Sequence, residues 1–159
     1  MDNNEEQPTE IDHGAWIPFL IRKKRFAECM ILAWQEVEDK VDQMTVQEFK
    51  LSYLPDKKDA RVDLLRDNIG FQNKLKFLKL MDRLSDNDIS IIQKFVEERN
   101  KLFHGYVFGD RSLLVIPEEE KNHLMGLASK ASQIVTNRAF GVWVDEGTGD
   151  MGNANVSRI

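Results

Sequence analysis

The chain reads as an all-α protein, an up-and-down bundle of four principal helices with a small β-hairpin before the last one. Three observations predict this. Apolar residues recur at three- and four-residue steps through most of the chain, turn and cap residues punctuate those stretches, and strand-like sequence is confined to one short region after residue 105. From about Phe19 to Phe49, the positions Phe26, Met30, Trp34, Val37, Val41 and Met44 form one apolar stripe with charged and amide residues between them, which predicts a long first helix. Pro55-Asp56 is a turn signal. Beyond it Val62, Leu65 and Ile69, then Phe71, Leu75, Leu78 and Met81, resume the helical period with an interruption at Asn68-Ile69-Gly70, as one broken helix or two short ones. Ser85-Asp86-Asn87-Asp88 supplies N-cap residues; Ile89, Ile92, Phe95, Val96, Leu102 and Phe103 then trace a third helix that Gly105 is expected to end. Tyr106-Val107-Phe108 and Leu113-Leu114-Val115-Ile116, around Gly109-Asp110, are β-prone and compatible with the hairpin. Pro117 followed by three Glu residues suits a first helical turn, and Leu124, Leu127, Ala128, Ala131, Ile134 and Val135 carry the last helix to about Ala139.

With 159 residues, 42% apolar and 31% charged, the chain has room for one ordinary domain. We divide it into a flexible acidic segment at 1–18, a helical domain at 19–144 and a flexible tail at 145–159. No apolar run approaches the roughly 18 to 20 residues needed to span a bilayer, so no membrane association is expected. The first twelve residues are acidic rather than basic and apolar, which points to the cytoplasm. A single cysteine, Cys29, excludes an internal disulfide, and His13, His104 and His123 are too few for a His-rich metal centre, so neither metal nor cofactor is expected. No phosphate loop, dinucleotide fingerprint or nucleophile elbow is present.

The net charge of −5 is unevenly spread: residues 1–12 carry −5 and residues 145–159 carry −2, which leaves the body at +2. Arg22-Lys23-Lys24-Arg25, and Lys57, Lys58 and Arg61, are local basic clusters, read first as solvated helix faces and second as contacts to phosphate. Trp16, Trp34 and Trp143 are too scattered to form a stacking platform and are read as packing residues.

The third helix carries one anomaly. Stepping its apolar stripe forward from Phe95 and Val96 lands on residue 99, which is Arg. A guanidinium cannot in practice lose its proton and is expensive to desolvate, so the position calls for a partner, either a carboxylate of the same protein or an external anion. Asn100 and His104 lie four apart on one face beside it. An imidazole, whose ordinary pKa is about 6.5, can act as acid or base near neutrality, and a helix C-terminus favours its cationic form. Arginine is the side chain suited to hold a phosphodiester bidentately and to stabilise the charge that grows on pentavalent phosphorus.

The segment Phe95-Val96-Glu97-Glu98-Arg99-Asn100-Lys101-Leu102-Phe103-His104-Gly105 resembles the signature of the HEPN superfamily, in which Arg, a polar residue that is often Asn, a short spacer and His close a helix. The helical layout around it extends the likeness over about residues 19–140. The resemblance implies a four-helix HEPN-like bundle, often a homodimer whose motif helices line one cleft, and a metal-independent endoribonuclease of toxin, abortive-infection or other defence systems. It further implies His104 as base or acid, Arg99 as the ligand of the scissile phosphate and Asn100 as the group that orients His104 or the phosphate. A 2′,3′-cyclic phosphate product and, in several members, a nucleotidyltransferase-type antitoxin belong to the same expectation. Lys101 is a candidate substrate contact beside them. The superfamily also includes non-catalytic dimerisation and regulatory modules that bind a protein partner, and the motif alone does not separate the two classes.

Overall fold

The computed structural model describes residues 13–52, 67–108 and 116–140, which form five helices: α1 (His13–Arg22), α2 (Phe26–Ser52), α3 (Phe71–Leu80), α4 (Asp86–Phe108) and α5 (Glu118–Phe140). The fold is all-α, a helical bundle without a strand among the described residues. The expected turn at Pro55-Asp56, the positions Val62 and Leu65, the cluster Lys57, Lys58 and Arg61, the hairpin residues 109–115, Trp143 and the expected tails at 1–12 and 145–159 lie outside the described residues.

α2 packs against all four other helices. Its predicted stripe is the core: Phe26, Met30, Val37, Val41 and Met44 are buried, together with Leu75 and Leu78 of α3, Ile92, Phe95 and Val96 of α4, and Leu124, Leu127, Ala128, Ala131 and Val135 of α5. Contacts between Trp34 and Phe71, Asp42 and Lys74, and Phe49 and Phe77 advance in the same sense along both helices, so α2 and α3 point the same way, at an inclination. This departs from the strict alternation expected of the principal helices. α4 runs against α2, with Arg99 beside Trp34 and Asp88 at the far end beside Arg138 of α5.

Three local expectations need correction. The long first helix is broken at Lys23-Lys24-Arg25, and residues 13–18, expected in the flexible lead-in, belong to α1, where Ile17 is buried because Trp16, Ile17, Phe19 and Leu20 give this short helix an apolar side. The break is a Schellman cap: Arg25 N–H donates to the Leu20 carbonyl at 2.9 Å and Lys24 N–H to that of Ile21 at 3.0 Å, with Lys24 left-handed at φ 53°. α3 ends in the same way, Arg83 N–H reaching the Leu78 carbonyl and Asp82 N–H that of Lys79, with Asp82 at φ 56°. Third, α4 continues through Gly105 to Phe108, so Tyr106-Val107-Phe108 are helical rather than the first strand of a hairpin. Each residue added to an existing helix gains a hydrogen bond, which outweighs the roughly 1 kcal/mol penalty of an internal glycine and the β-preference of Tyr, Val and Phe.

The start of α4 follows the expected cap residues. Asp88 N–H donates to Ser85 Oγ at 3.1 Å and Ser85 N–H to Asp88 Oδ2 at 3.0 Å, a reciprocal capping box. Arg138 of α5 closes on the same carboxylate at 2.8 Å. Burial pushes the Asp88 carboxyl upward, but the hydrogen bonds from Ser85 and the Arg138 charge outweigh it and hold the group below the ordinary aspartate value.

Two outcomes are expected. Asp82→Gly relieves a left-handed L-residue and should raise stability by about 0.5 to 1 kcal/mol in urea unfolding. Because the folded Asp88 pKa is depressed, its stabilisation is present above the ordinary aspartate pKa of about 3.9 and is lost as pH falls through the folded value. Urea midpoints measured from pH 6 down to pH 2 should therefore fall less steeply for Asp88→Asn than for the parent.

Candidate functional site

The second half of α4 carries every residue singled out from the sequence. Ile92, Phe95 and Val96 are buried; beyond them Arg99, Asn100, Leu102 and Phe103 are half-buried and His104 is exposed. Arg99 borders the core as its place in the stripe predicts, and its surroundings decide what kind of partner it has. The guanidinium carbon lies over the indole of Trp34, reaching across from α2, at 4.9 Å from the ring centroid, and over the ring of Phe103, one turn along α4, at 4.6 Å. Trp34 in turn packs on Phe71 of α3, with centroids 5.2 Å apart and planes inclined at 53°.

Arg99 Nη1 donates to Asn100 Oδ1 at 3.0 Å, whereas Arg99 Nε is buried and makes no hydrogen bond. Among the described residues Arg99 meets no carboxylate. The neighbouring acid Glu98 is held instead by Lys101 at 2.8 Å. That hydrogen bond, and then the Glu98 and Glu97 charges, raise the Lys101 pKa. The internal-partner alternative for Arg99, pairing with Glu97, Glu98 or an acid of another helix, is therefore not what these residues form.

One helical turn beyond Asn100, His104 sits on the same face of α4 and four residues before its end. With 3.6 residues per turn, His104 projects about 140° around the helix from Arg99. A single chain thus joins Arg99, Asn100, Trp34 and Phe103, and places His104 on a different side of the same helix. Trp34, Phe71 and Phe103 are the residues that sequence reasoning did not assign to the site. Phe103 was visible as the i+4 neighbour of Arg99; the Trp34 contact crosses from one helix to another and has no local signal.

The chemistry of the arrangement follows from its parts. Aromatic faces attract a guanidinium through the ring quadrupole and occupy none of its N–H groups, so Arg99 is held without a carboxylate from the described residues. Its remaining N–H donors suit an oxyanion. Among the described residues no three His, Cys, Asp or Glu side chains gather as a metal ion would require. No helix among them is long and apolar enough to cross a membrane. No family model matches the chain, and neither a curated protein nor a solved structure matches it.

If Arg99 is not a structural ion-pair partner, removing its charge should not harm the fold. Arg99→Met preserves length and apolar contact and removes a buried unbonded donor. It is expected to stay within about 1 kcal/mol of the parent in urea unfolding, the lost cation–π attraction offsetting the removed unbonded donor. A loss above about 2 kcal/mol would instead mark a structural arginine.

Proposed function

We propose that the chain is a HEPN-like, metal-independent endoribonuclease that acts as a homodimer, a toxin or defence effector of the cytoplasm with a nucleotidyltransferase-type antitoxin as its natural partner. The carrying observation is Arg99, half-buried, free of any carboxylate among the described residues and fixed beside Asn100, one turn before an exposed His104. In this reading α2, α3, α4 and α5 are the four principal helices of the HEPN arrangement.

His104 removes the proton from the ribose 2′-hydroxyl, the freed oxygen attacks phosphorus, the bond to the 5′-oxygen breaks, and that oxygen takes a proton from the His104 imidazolium or from water, leaving a 2′,3′-cyclic phosphate and a 5′-hydroxyl. Arg99 meets the non-bridging oxygens as charge builds on them. Asn100, bonded to Arg99, orients that guanidinium. Lys101 adds a cation close to the RNA path, weakened by its pairing with Glu98. The divergence of Arg99 and His104 around α4 favours a site built from two motif helices, since a second copy can supply the group that one helix directs away.

A specific observation favours the second reading, a non-catalytic HEPN-like dimerisation or regulatory module that binds a protein. Lys101 pairs with Glu98, Arg25 with Glu28 at 2.6 Å, and Lys24 with Glu118 at 3.8 Å, so cations near the motif and in the basic run are already matched by acids. That lowers the positive potential an RNA would meet.

The deciding experiment incubates the purified dimer with structured and single-stranded RNAs in excess EDTA, alongside folded Arg99→Ala and His104→Ala proteins. The parent is expected to leave cyclic phosphate ends, and each substitution to slow cleavage by about a hundred-fold or more. Equal cutting by parent and variants refutes the mechanism, and no cutting by any of them, together with stable binding to a protein partner, favours the module.

A further inference from the structure

Arg99 is held by two aromatic rings and one side-chain amide. Elsewhere in the bundle a cation drawn toward the interior meets a carboxylate: Lys74 meets Asp42 at 2.6 Å and Arg83 meets Glu48 at 3.0 Å. At Arg99 that place is taken by two rings and one amide oxygen. We infer that Trp34, backed by Phe71, is the positioning residue that holds Arg99, which no carboxylate among the described residues meets, for the oxyanion of a phosphodiester.

The geometry supports this in three steps. Trp34 comes from α2, the helix that contacts every other helix, so the contact ties the guanidinium to the least adjustable part of the fold. Trp34 is itself packed by Phe71 from α3, so its indole is held from a third helix. Phe103 completes the clamp from α4, leaving a long side chain with few alternative rotamers. A carboxylate in the same position would compete with a phosphate for the guanidinium N–H groups; an aromatic face does not. With the Arg99 guanidinium over its ring and Phe71 against it, the indole is committed to the protein and is not a platform for a nucleobase. The identity of the anion as the scissile phosphodiester rests on the ribonuclease reading; the clamp itself does not.

The test combines two readouts on the full chain. In the NMR spectrum, the Nε–H resonance of Arg99, identified by its disappearance in Arg99→Lys, should be displaced from the free-arginine position by the ring currents of Trp34 and Phe103. It should move toward that position in Trp34→Leu and stay displaced in Trp34→Phe. In RNA cleavage, Trp34→Leu should lower kcat by about ten-fold, the weight of one cation–π contact, while KM changes little and Trp34→Phe stays within about three-fold of the parent.

An Arg99 resonance at the free-arginine position in the parent overturns the inference without any variant having to fold. So does parental kcat in a folded Trp34→Leu protein, an outcome that leaves the ribonuclease reading standing. A parent that cuts no RNA but shows the displaced, Trp34-dependent resonance removes the ribonuclease reading and supports the clamp.

Discussion

The fold depends on α2 being enclosed by every other helix. A helix of 27 residues in that position cannot keep all its polar groups in water, and Glu36, Thr45 and Glu48 are buried on it. A buried polar or charged group is tolerable only when a partner meets it, so each one restricts how the neighbouring helix can sit. Thr136 Oγ1 donates to Glu36 at 2.9 Å and sets α5, Lys74 closes on Asp42 and sets α3, and Arg83 closes on Glu48 at the turn that leads into α4. Thr45 bonds the carbonyl of Val41 within its own helix. Trp34 continues the series: its partner on α4 is Arg99. The apolar stripe supplies most of the burial, and the polar contacts select one register among the many that a greasy stripe would allow.

The same device recurs at the far end of the bundle. Arg83 also donates to the Arg138 carbonyl at 3.0 Å, and Arg138 pairs with Asp88, which belongs to the capping box of α4. A cap that would fix only the first turn of one helix is thereby joined to α5 and, through Arg83 and Glu48, to α2. The motif segment of α4 projects from a helix pinned at its start, on a bundle whose interior leaves little freedom to tilt.

What could be read from the sequence was the local part. The α2 stripe from Phe26 to Met44 is inward because a helical period needs no knowledge of the partner, and Ser85 to Asp88 marked the start of α4 because a capping box is written within four residues. The break between α1 and α2 was not legible, since Lys24 rather than glycine occupies the left-handed cap position and an apolar period runs on either side. Tyr106 to Phe108 looked like a strand because β-propensity is a weak preference that a continuing helix overrides. The common direction of α2 and α3 depends on contacts between residues 28 to 37 positions apart. At the site, the stripe showed that Arg99 lies at the edge of the core, but not that indole and phenyl rings, rather than a carboxylate, would meet it there.

That distinction carries the functional weight. Lys74 and Arg83 follow the ordinary rule for cations near a protein interior, a carboxylate within salt-bridge distance, and their roles are accounted for by the packing they join. Arg99 breaks the rule: it is half-buried, its Nε is sealed from solvent without a hydrogen bond, and the acid nearest in sequence is bound to Lys101 instead. A methionine or leucine would fill the same position between Trp34 and Phe103 with no desolvated donor, so no ion pair calls for a guanidinium there. Exceptions of this kind concentrate where a protein meets a ligand, because a charge left unmatched in the free protein is a charge available to whatever binds. An oxyanion that arrived at Arg99 would find the cation already oriented and partly stripped of water, the condition under which electrostatic stabilisation is strongest and needs least reorganisation.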